Sequence, residues 1–190
     1  MRSLIDSLLP AALLGAVLLL SPQPSGAHDA VFPAEKLQAM YPQAESFEQR
    51  NLYVSEEQRH RIEAALGGAL REEDLKPSVY LAIERQPDGQ ARRGAVLLFI
   101  DAEGEGGIIE TGIMMNAKGE LTQVAIFENN EPRDILHPDF LGQFAAKKST
   151  DPFRVGGDVS APAGLERTAQ AIASGARRGM LIVHELFRRS

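Results

Sequence analysis

The segment 156–179 constrains the fold more than any other part of the sequence. It joins a Gly- and Pro-rich approach to a long amphipathic pattern. From Leu165 onward, apolar and small residues recur at steps of three and four, the spacing of one stripe on an α-helix. The stripe comprises Leu165, Ala169, Ile172, Ala173, Ala176, Met180, Val183 and Phe187. The opposite face carries Glu166, Arg167, Gln170, Ser174, Arg177 and Arg178. A long C-terminal helix with one buried and one solvated face is therefore predicted.

The residues before this helix are typical of a helix N-terminus. Asp158 and Ser160 are favourable capping residues, and Pro162 suits a first turn, where its missing N–H costs no hydrogen bond. A Gly-rich, capped helix start directs several backbone N–H groups at one point, and such a point can hold a phosphate. Most capped helices bind no phosphate, so on the residues alone a plain capped helix is the simpler interpretation.

The preceding half of the chain has the pattern of strands joined by short turns. Strands are predicted at 79–83, 94–100, 108–116 and 121–127, and the last two flank a turn in which Gly119 supplies a positive φ. Segment 28–77 is predicted to be helical and to pack on the sheet, with a capping box from Ser55 to Gln58. The fold class is thus α+β: an antiparallel sheet of about four to six strands, N-terminal helices and a long C-terminal helix.

The first 27 residues have the features of a secretory signal peptide. Arg2 precedes an apolar run at 8–20, and small residues at 25–27 offer a cleavage point before His28. A retained anchor is the alternative, but the run is shorter than the roughly 20 residues that a full span needs. The sequence therefore predicts an exported, periplasmic protein, with any membrane association made through a partner.

Composition excludes several classes of function. The net charge is −6 and no basic stripe is concentrated anywhere, so nucleic acid is not an expected partner. The chain has no cysteine, which excludes disulfides, thiolate metal sites and iron–sulfur clusters. The four histidines lack the spacing of a zinc site, and no serine lies in a G-x-S-x-G motif.

Residues 158–167, DVSAPAGLER, resemble the D-[IV]-S-G-A-T-x-[ST]-S motif of the FMN-binding domain family. That family includes the C subunit of the sodium-translocating NADH:quinone reductase and the G subunit of the Rnf electron-transport complex. Two further segments are similar to family motifs: NEP at 130–132 to S-E-T-P, and QFAAK at 143–147 to Q-F-x-G-K. The turn at 116–120 is similar to the family's hairpin, and the resemblance spans about residues 108–187, within a predicted FMN-binding-like domain at 78–190.

Each of the three motifs departs from the family at one important position. In known members, a threonine hydroxyl of the first motif is esterified to the FMN phosphate, but here that position is Ala163. Pro132 replaces the threonine of the second motif, and Ala146 stands in the glycine position of the third. Without the hydroxyl no phosphoester forms at Ala163, so the resemblance implies that FMN is bound non-covalently or has been lost.

The resemblance implies a site and a function. The phosphate would lie at 160–164 and the flavin ring near the Glu131 loop and the sheet edge at 111–115. The implied cofactor-binding residues are Thr111, Glu131, Asp158, Ser160, Ala161, Ala163 and Gly164. The expected function is an electron-transfer flavoprotein that serves a membrane electron-transport partner, rather than a stand-alone enzyme. A flavin-free binding or assembly module that retains the fold is the alternative.

Overall fold

A computed structural model describes residues 32–188, which form one sheet and a set of helices. The strands are β1 (Ser46–Asn51), β2 (Ser78–Arg85), β3 (Ala91–Glu103), β4 (Ile108–Met115) and β5 (Leu121–Glu128). The helices are α1 (Ala34–Met40), α2 (Glu56–Leu66), α3 (Pro138–Leu141) and α4 (Glu166–Phe187). Short 3-10 helices occupy Glu73–Leu75, Arg133–Leu136 and Gly142–Phe144. The predicted signal peptide lies outside the described residues.

The five strands form an antiparallel sheet in chain order, β1-β2-β3-β4-β5. Every neighbouring pair is antiparallel, which confirms the predicted α+β class with its long C-terminal helix. The predicted turn between β4 and β5 is also confirmed, since Gly119 has φ +78°. Strands β2 to β5 are joined by short turns, since antiparallel strands need only a few residues to connect them, whereas the connection from β1 to β2 contains α2.

Each face of the sheet is covered by its own apolar cluster. Helix α4 packs on the face that carries Leu98, Ile100 and Ile113, and there Gly175 and Gly179 let the helix approach β3 and β4 closely. Helix α1 packs on the other face, where Leu37 and Met40 join a smaller cluster. The central strand β3 is buried on both faces from Ala95 to Ile100, as its continuous apolar run predicts.

Two features of the N-terminal segment and of α4 differ from the sequence predictions. Segment 28–77 contains β1 as well as helices, and β1 was missed because its sequence, SFEQRN, is polar and mostly exposed at the sheet edge. The capping box that begins α2 is confirmed by both of its hydrogen bonds between Ser55 and Gln58. Arg178, predicted on the solvated face of α4, instead lies largely buried 3.0 Å from the carboxylate of Asp74.

Among residues 32–188, no helix combines the length and the apolar character that crossing a membrane requires.

Candidate functional site

The loop before α4 is organised around the carboxylate of Asp158. Its Oδ1 accepts a hydrogen bond from the backbone N–H of Arg154 at 2.7 Å, and its Oδ2 accepts one from Phe153 at 3.2 Å. The ammonium of Lys147 lies 2.7 Å from the same Oδ2 and also donates to the Asp158 carbonyl at 3.0 Å. The carboxylate of Asp158 therefore stabilises the turn of its own loop and also joins that loop to the segment that follows α3.

The electrostatics of Asp158 reflect these contacts. Partial burial by itself would raise the pKa of Asp158, but the hydrogen bonds from Arg154, Lys147 and Phe153 outweigh burial and lower it below its ordinary value. The carboxylate is consequently charged at neutral pH and fully engaged by its own neighbours. Its role in this structure is to hold the loop.

Ser160 is held by a reciprocal pair of hydrogen bonds with Gln143. Its N–H donates to Gln143 Oε1 at 2.8 Å, and Gln143 Nε2 donates to the Ser160 carbonyl at 2.9 Å. Beside this pair lies a groove of about 490 Å³. Its lining residues are Asp134, His137, Asp139, Phe140, Gln143, Ser160, Ala161 and Pro162. The third resemblance motif thus meets the first one beside this groove, through Gln143 and Ser160.

The start of α4 differs from the prediction. The helix begins at Glu166, and Leu165 precedes it without a side-chain cap, so Asp158 and Ser160 do not cap the helix. Pro162 is not in the first helical turn either. It opens a separate turn, closed by the hydrogen bond from Leu165 N–H to the Pro162 carbonyl at 3.0 Å. Gly164 has φ +76° at the third position of that turn, a geometry that separates it from the helix.

Glu166 occupies the place that the sequence analysis assigned to an anion. Its carboxylate Oε1 accepts a hydrogen bond from the backbone N–H of Gly164 at 3.3 Å, at the N-terminal end of α4. A negative side chain is favourable at a helix N-terminus because of the helix dipole. The helix start is therefore already supplied with negative charge by the chain itself, and Ala163 lies outside the helix.

Glu131 joins three parts of the chain. Its Oε1 accepts from the Gly106 N–H at 2.6 Å, and its Oε2 accepts from the hydroxyl of Thr168 at 2.8 Å. Thr168 is fully buried in the first turns of α4, so the carboxylate connects the β3–β4 loop to that helix. Gly104 lies close to this carboxylate, and an added side chain there would require Glu131 and Ile109 to shift.

Thr111 does not line the groove. It is fully buried in β4, on the sheet face that α4 covers, and its hydroxyl donates to the Ile109 carbonyl at 3.5 Å. Of the predicted site residues, Ser160 and Ala161 line the groove and Asp158 supports their loop. Ala163 and Gly164 form the exposed turn, while Glu131 and Thr111 are engaged elsewhere in the fold.

Four residues with defined roles at the site were not among the predicted ones: Gln143, Lys147, Glu166 and Thr168. Gln143 and Lys147 belong to the QFAAK segment, so the motif was a signal that pointed to them. Glu166 and Thr168 could be placed only once the first residue of α4 was known. Comparison with protein-family models finds no match, and comparison with curated proteins finds none either.

The residues around the helix start do not fit a phosphate dianion. Three carboxylates, those of Glu166, Asp134 and Asp139, lie at the helix start or line the groove. The ammonium of Lys147, in the QFAAK segment, is already paired with Asp158. These carboxylates are exposed to solvent, and their negative charge disfavours the binding of a second anion beside them. The apolar wall of the groove, formed by Phe140, Ala161 and Pro162, suits a flat or aliphatic group without charge.

Proposed function

We propose that this protein is an exported binding or assembly module that keeps a fold resembling the FMN-binding domain without holding flavin at the helix start. It would serve a membrane redox system through a partner protein, from the periplasm. The observation that carries the proposal is the carboxylate of Glu166 on the Gly164 N–H, where the resemblance would place a phosphate. The loss of the hydroxyl at Ala163 supports the same conclusion.

The contact surface of this module would be the groove beside Ser160. Its apolar wall carries Phe140 and Pro162, and its rim carries Asp134 and Asp139. That combination favours a partner segment with one apolar and one basic side chain, since complementary charge speeds association and fixes register. The reciprocal bonds between Gln143 and Ser160 keep the groove preformed, which lowers the entropy lost on binding.

A second candidate function is an electron carrier that binds FMN non-covalently, and a different observation favours it. The three segments that carry the resemblance are connected in space, by Lys147 to Asp158 and by Glu131 to Thr168 at the first turns of α4. Ala146, at the family's glycine position, has φ +65°, a left-handed conformation that favours glycine. When bound, FMN would supply the redox chemistry, and the protein would contribute its binding surface.

Thermal unfolding with and without FMN separates the two functions. The flavin-free module should be colourless after export and purification, and its melting temperature should not change with added FMN. A carrier at 100 times its Kd would gain about 2.7 kcal/mol, because only a ligand that prefers the native state stabilises it. For a domain of this size that gain corresponds to a shift of about 5–10 °C. A shift of that size would reject the flavin-free proposal.

The variant Glu166→Gln tests whether the carboxylate of Glu166 keeps the FMN phosphate away from the helix start. If the carboxylate excludes phosphate, this variant should bind FMN more tightly than the wild type, or should begin to respond to it. Asp151→Asn is the matched control, since Asp151 also accepts a backbone N–H, from Lys148 at 2.8 Å, but outside the groove. Equal indifference to FMN in all three proteins would mean that the Glu166 carboxylate is not by itself what excludes FMN, and would leave the flavin-free function in place.

A further inference from the structure

A separate groove of about 590 Å³ lies at the C-terminal end of α4, against β3 and the β4–β5 turn. Its floor is apolar and includes Val96, Met115, Val183 and Phe187. Its rim carries four side chains that hold or can acquire positive charge: Arg93, Lys118, His184 and Arg188. None of the described residues that line it has a carboxylate. The volume lies within the range of about 300–1,000 Å³ that ligand pockets occupy.

A β-bulge directs Arg93 into this groove. In the pairing of β2 with β3, Ala82 lies opposite Ala95 and Ile83 lies opposite Arg93, so Gly94 is the extra residue. Regular alternation would put Arg93 on the α1 face together with Ala95. The bulge instead turns it to the α4 face, where its guanidinium lies 5.4 Å from the centre of the Phe187 ring. Bulges commonly re-aim a side chain in this way.

Gly94, the extra residue of the bulge, lies close to two polar side chains of the α1 face. A side chain at Gly94 would lie 2.6 Å from the hydroxyl of Tyr41 and closer still to the carboxylate of Glu84. Those two groups are hydrogen-bonded to each other on the α1 face of the sheet. Tyr41 and Glu84 thus occupy the α1 face at the bulge, and Arg93 lies on the α4 face.

Two of these four rim side chains have no ion-pair partner within 4 Å among residues 32–188. Arg93 contacts the Phe187 ring, and Lys118 lies exposed in the β4–β5 turn. The other two are near Glu185, at 3.4 Å from Arg188 and 3.8 Å from His184, but that carboxylate is also bound by Arg61 at 2.8 Å. The groove therefore combines an apolar floor with two basic side chains, Arg93 and Lys118, that form no ion pair within 4 Å among residues 32–188; Glu120, which interacts with Lys118 electrostatically, does not line the groove.

We propose that this groove binds an anionic amphiphile: an aliphatic group on the floor formed by Met115, Val183 and Phe187, with a carboxylate or phosphate head between Arg93 and Lys118. A concave site of this volume fits a chain rather than a flat membrane surface. The unpaired guanidinium and ammonium fit an anionic head, since hydrogen bonds to charged groups are the strong ones. The proposal is independent of the function proposed for the groove beside Ser160.

The test is titration of the mature chain with octanoate and with octyl phosphate, followed by amide chemical shifts in ¹H–¹⁵N spectra. Saturable shifts are expected at Gly94, Gly119 and Val183, which line the groove. The two probes distinguish a fatty-acid head from a phosphate-ester head. Octyl glucoside, with the same tail and no charge, should bind more weakly, and inorganic phosphate, with no tail, should not give the same shifts.

Two variants and a matched control complete the test. Arg93→Gln and Lys118→Gln should each weaken binding about tenfold or more, because each removes a charged partner of the head group. Arg92→Gln is the control: Arg92 neighbours Arg93 in β3 but pairs with Asp88 at 2.9 Å and does not line the groove. Dispersed spectra of the free variants will report whether each is folded, and Lys118→Gln removes no core contact.

The proposal is overturned if neither amphiphile produces saturable shifts at the groove. It is also overturned if octyl glucoside or inorganic phosphate binds as tightly as octyl phosphate, because the head or the tail would then not be recognised. An unchanged affinity in both Arg93→Gln and Lys118→Gln would likewise reject it. Binding of an acidic peptide without binding of either amphiphile would identify a protein-docking surface instead.

Discussion

The ammonium of Lys147 lies 2.7 Å from Oδ2 of Asp158 and donates to the carbonyl of the same residue at 3.0 Å. The pair joins the segment after α3 to the loop that precedes α4. Its members are mostly buried, with side chains 11% and 25% exposed. Both residues belong to segments that carry the resemblance to FMN-binding domains, and in this chain they stabilise the loop of the candidate groove.

Asp158→Asn should destabilise the protein by about 2 kcal/mol, because hydrogen bonds to a charged group contribute about 1.5–3 kcal/mol. The amide has only one acceptor oxygen, and it cannot accept from Lys147, Arg154 and Phe153 together. Urea unfolding followed by circular dichroism measures the change. Asp139→Asn is the control, with a side chain 93% exposed and an expected effect within about 0.5 kcal/mol. Equal stabilities of the two variants would contradict the role of Asp158.

The contribution of Asp158 should depend on pH. Its pKa in the folded protein is lowered, whereas an unfolded aspartate has a pKa of about 3.9. The folded protein therefore favours the ionised carboxylate of Asp158 more than the unfolded chain does. The resulting contribution to the free energy of unfolding is present above about pH 4 and is lost as the pH falls through the lowered pKa of the folded state. The difference in unfolding free energy between wild type and Asp158→Asn should be constant from about pH 7 to 5 and should narrow below about pH 4. A difference in unfolding free energy that widens as the pH falls would contradict the lowered pKa of Asp158.

Arg178 is the sole positive partner within 4 Å that the described structure gives to the buried carboxylate of Asp74, whose side chain is only 4% exposed. Burial raises the pKa of Asp74, and the guanidinium opposes this rise. Removing one member of a buried pair typically costs about 3–5 kcal/mol, so Arg178→Met should be strongly destabilising at neutral pH. The loss should be smaller near pH 4, where Asp74 without its partner takes up a proton.

Two variants test this interpretation of Arg178. Arg177→Met is the matched control: the Arg177 guanidinium donates to the Ala65 carbonyl at 2.9 Å and should contribute far less. The double variant Asp74→Leu with Arg178→Met should be more stable than Arg178→Met alone, since no uncompensated charge remains buried. Thermal unfolding compares all of them. A double variant no more stable than the single one would mean that Arg178 acts mainly through packing.

Periodicity predicted much of the fold because it reports which face of an element is buried. The continuous apolar run of β3 and the stripe of α4 carry that signal, and both elements are confirmed, although α4 begins at Glu166 rather than at Leu165. The hairpin was predicted from its turn residue, Gly119, and is also confirmed. Strand β1 carries none, since an exposed edge strand needs no alternating pattern. The position of Arg178 was wrong for a related reason: its partner, Asp74, comes from a distant 3-10 helix that helical spacing does not reveal.

The site was harder to predict than the fold, because a motif does not indicate which turn each of its residues occupies. The resemblance did not predict the contact between Gln143 and Ser160 that the structure contains. It could not indicate that Gly164, with φ +76°, would form a separate turn and delay the helix to Glu166. Residues 158–163 were therefore placed at the helix start, although they form the loop before it.

Ala146 has φ +65°, in the left-handed region that costs a residue with a side chain about 1–2 kcal/mol. The conformation is held by the hydrogen bond from its N–H to the Leu121 carbonyl at 2.8 Å, which joins this loop to β5. Ala146→Gly should therefore stabilise the protein by about 1 kcal/mol, after subtraction of the larger entropy of an unfolded glycine. The neighbouring Ala145 has φ −62°, so Ala145→Gly gains nothing and should destabilise by about 0.4–1 kcal/mol. Urea unfolding of both variants measures whether Ala146→Gly stabilises the protein and Ala145→Gly destabilises it. If both substitutions destabilise, the left-handed conformation of Ala146 does not strain the native state.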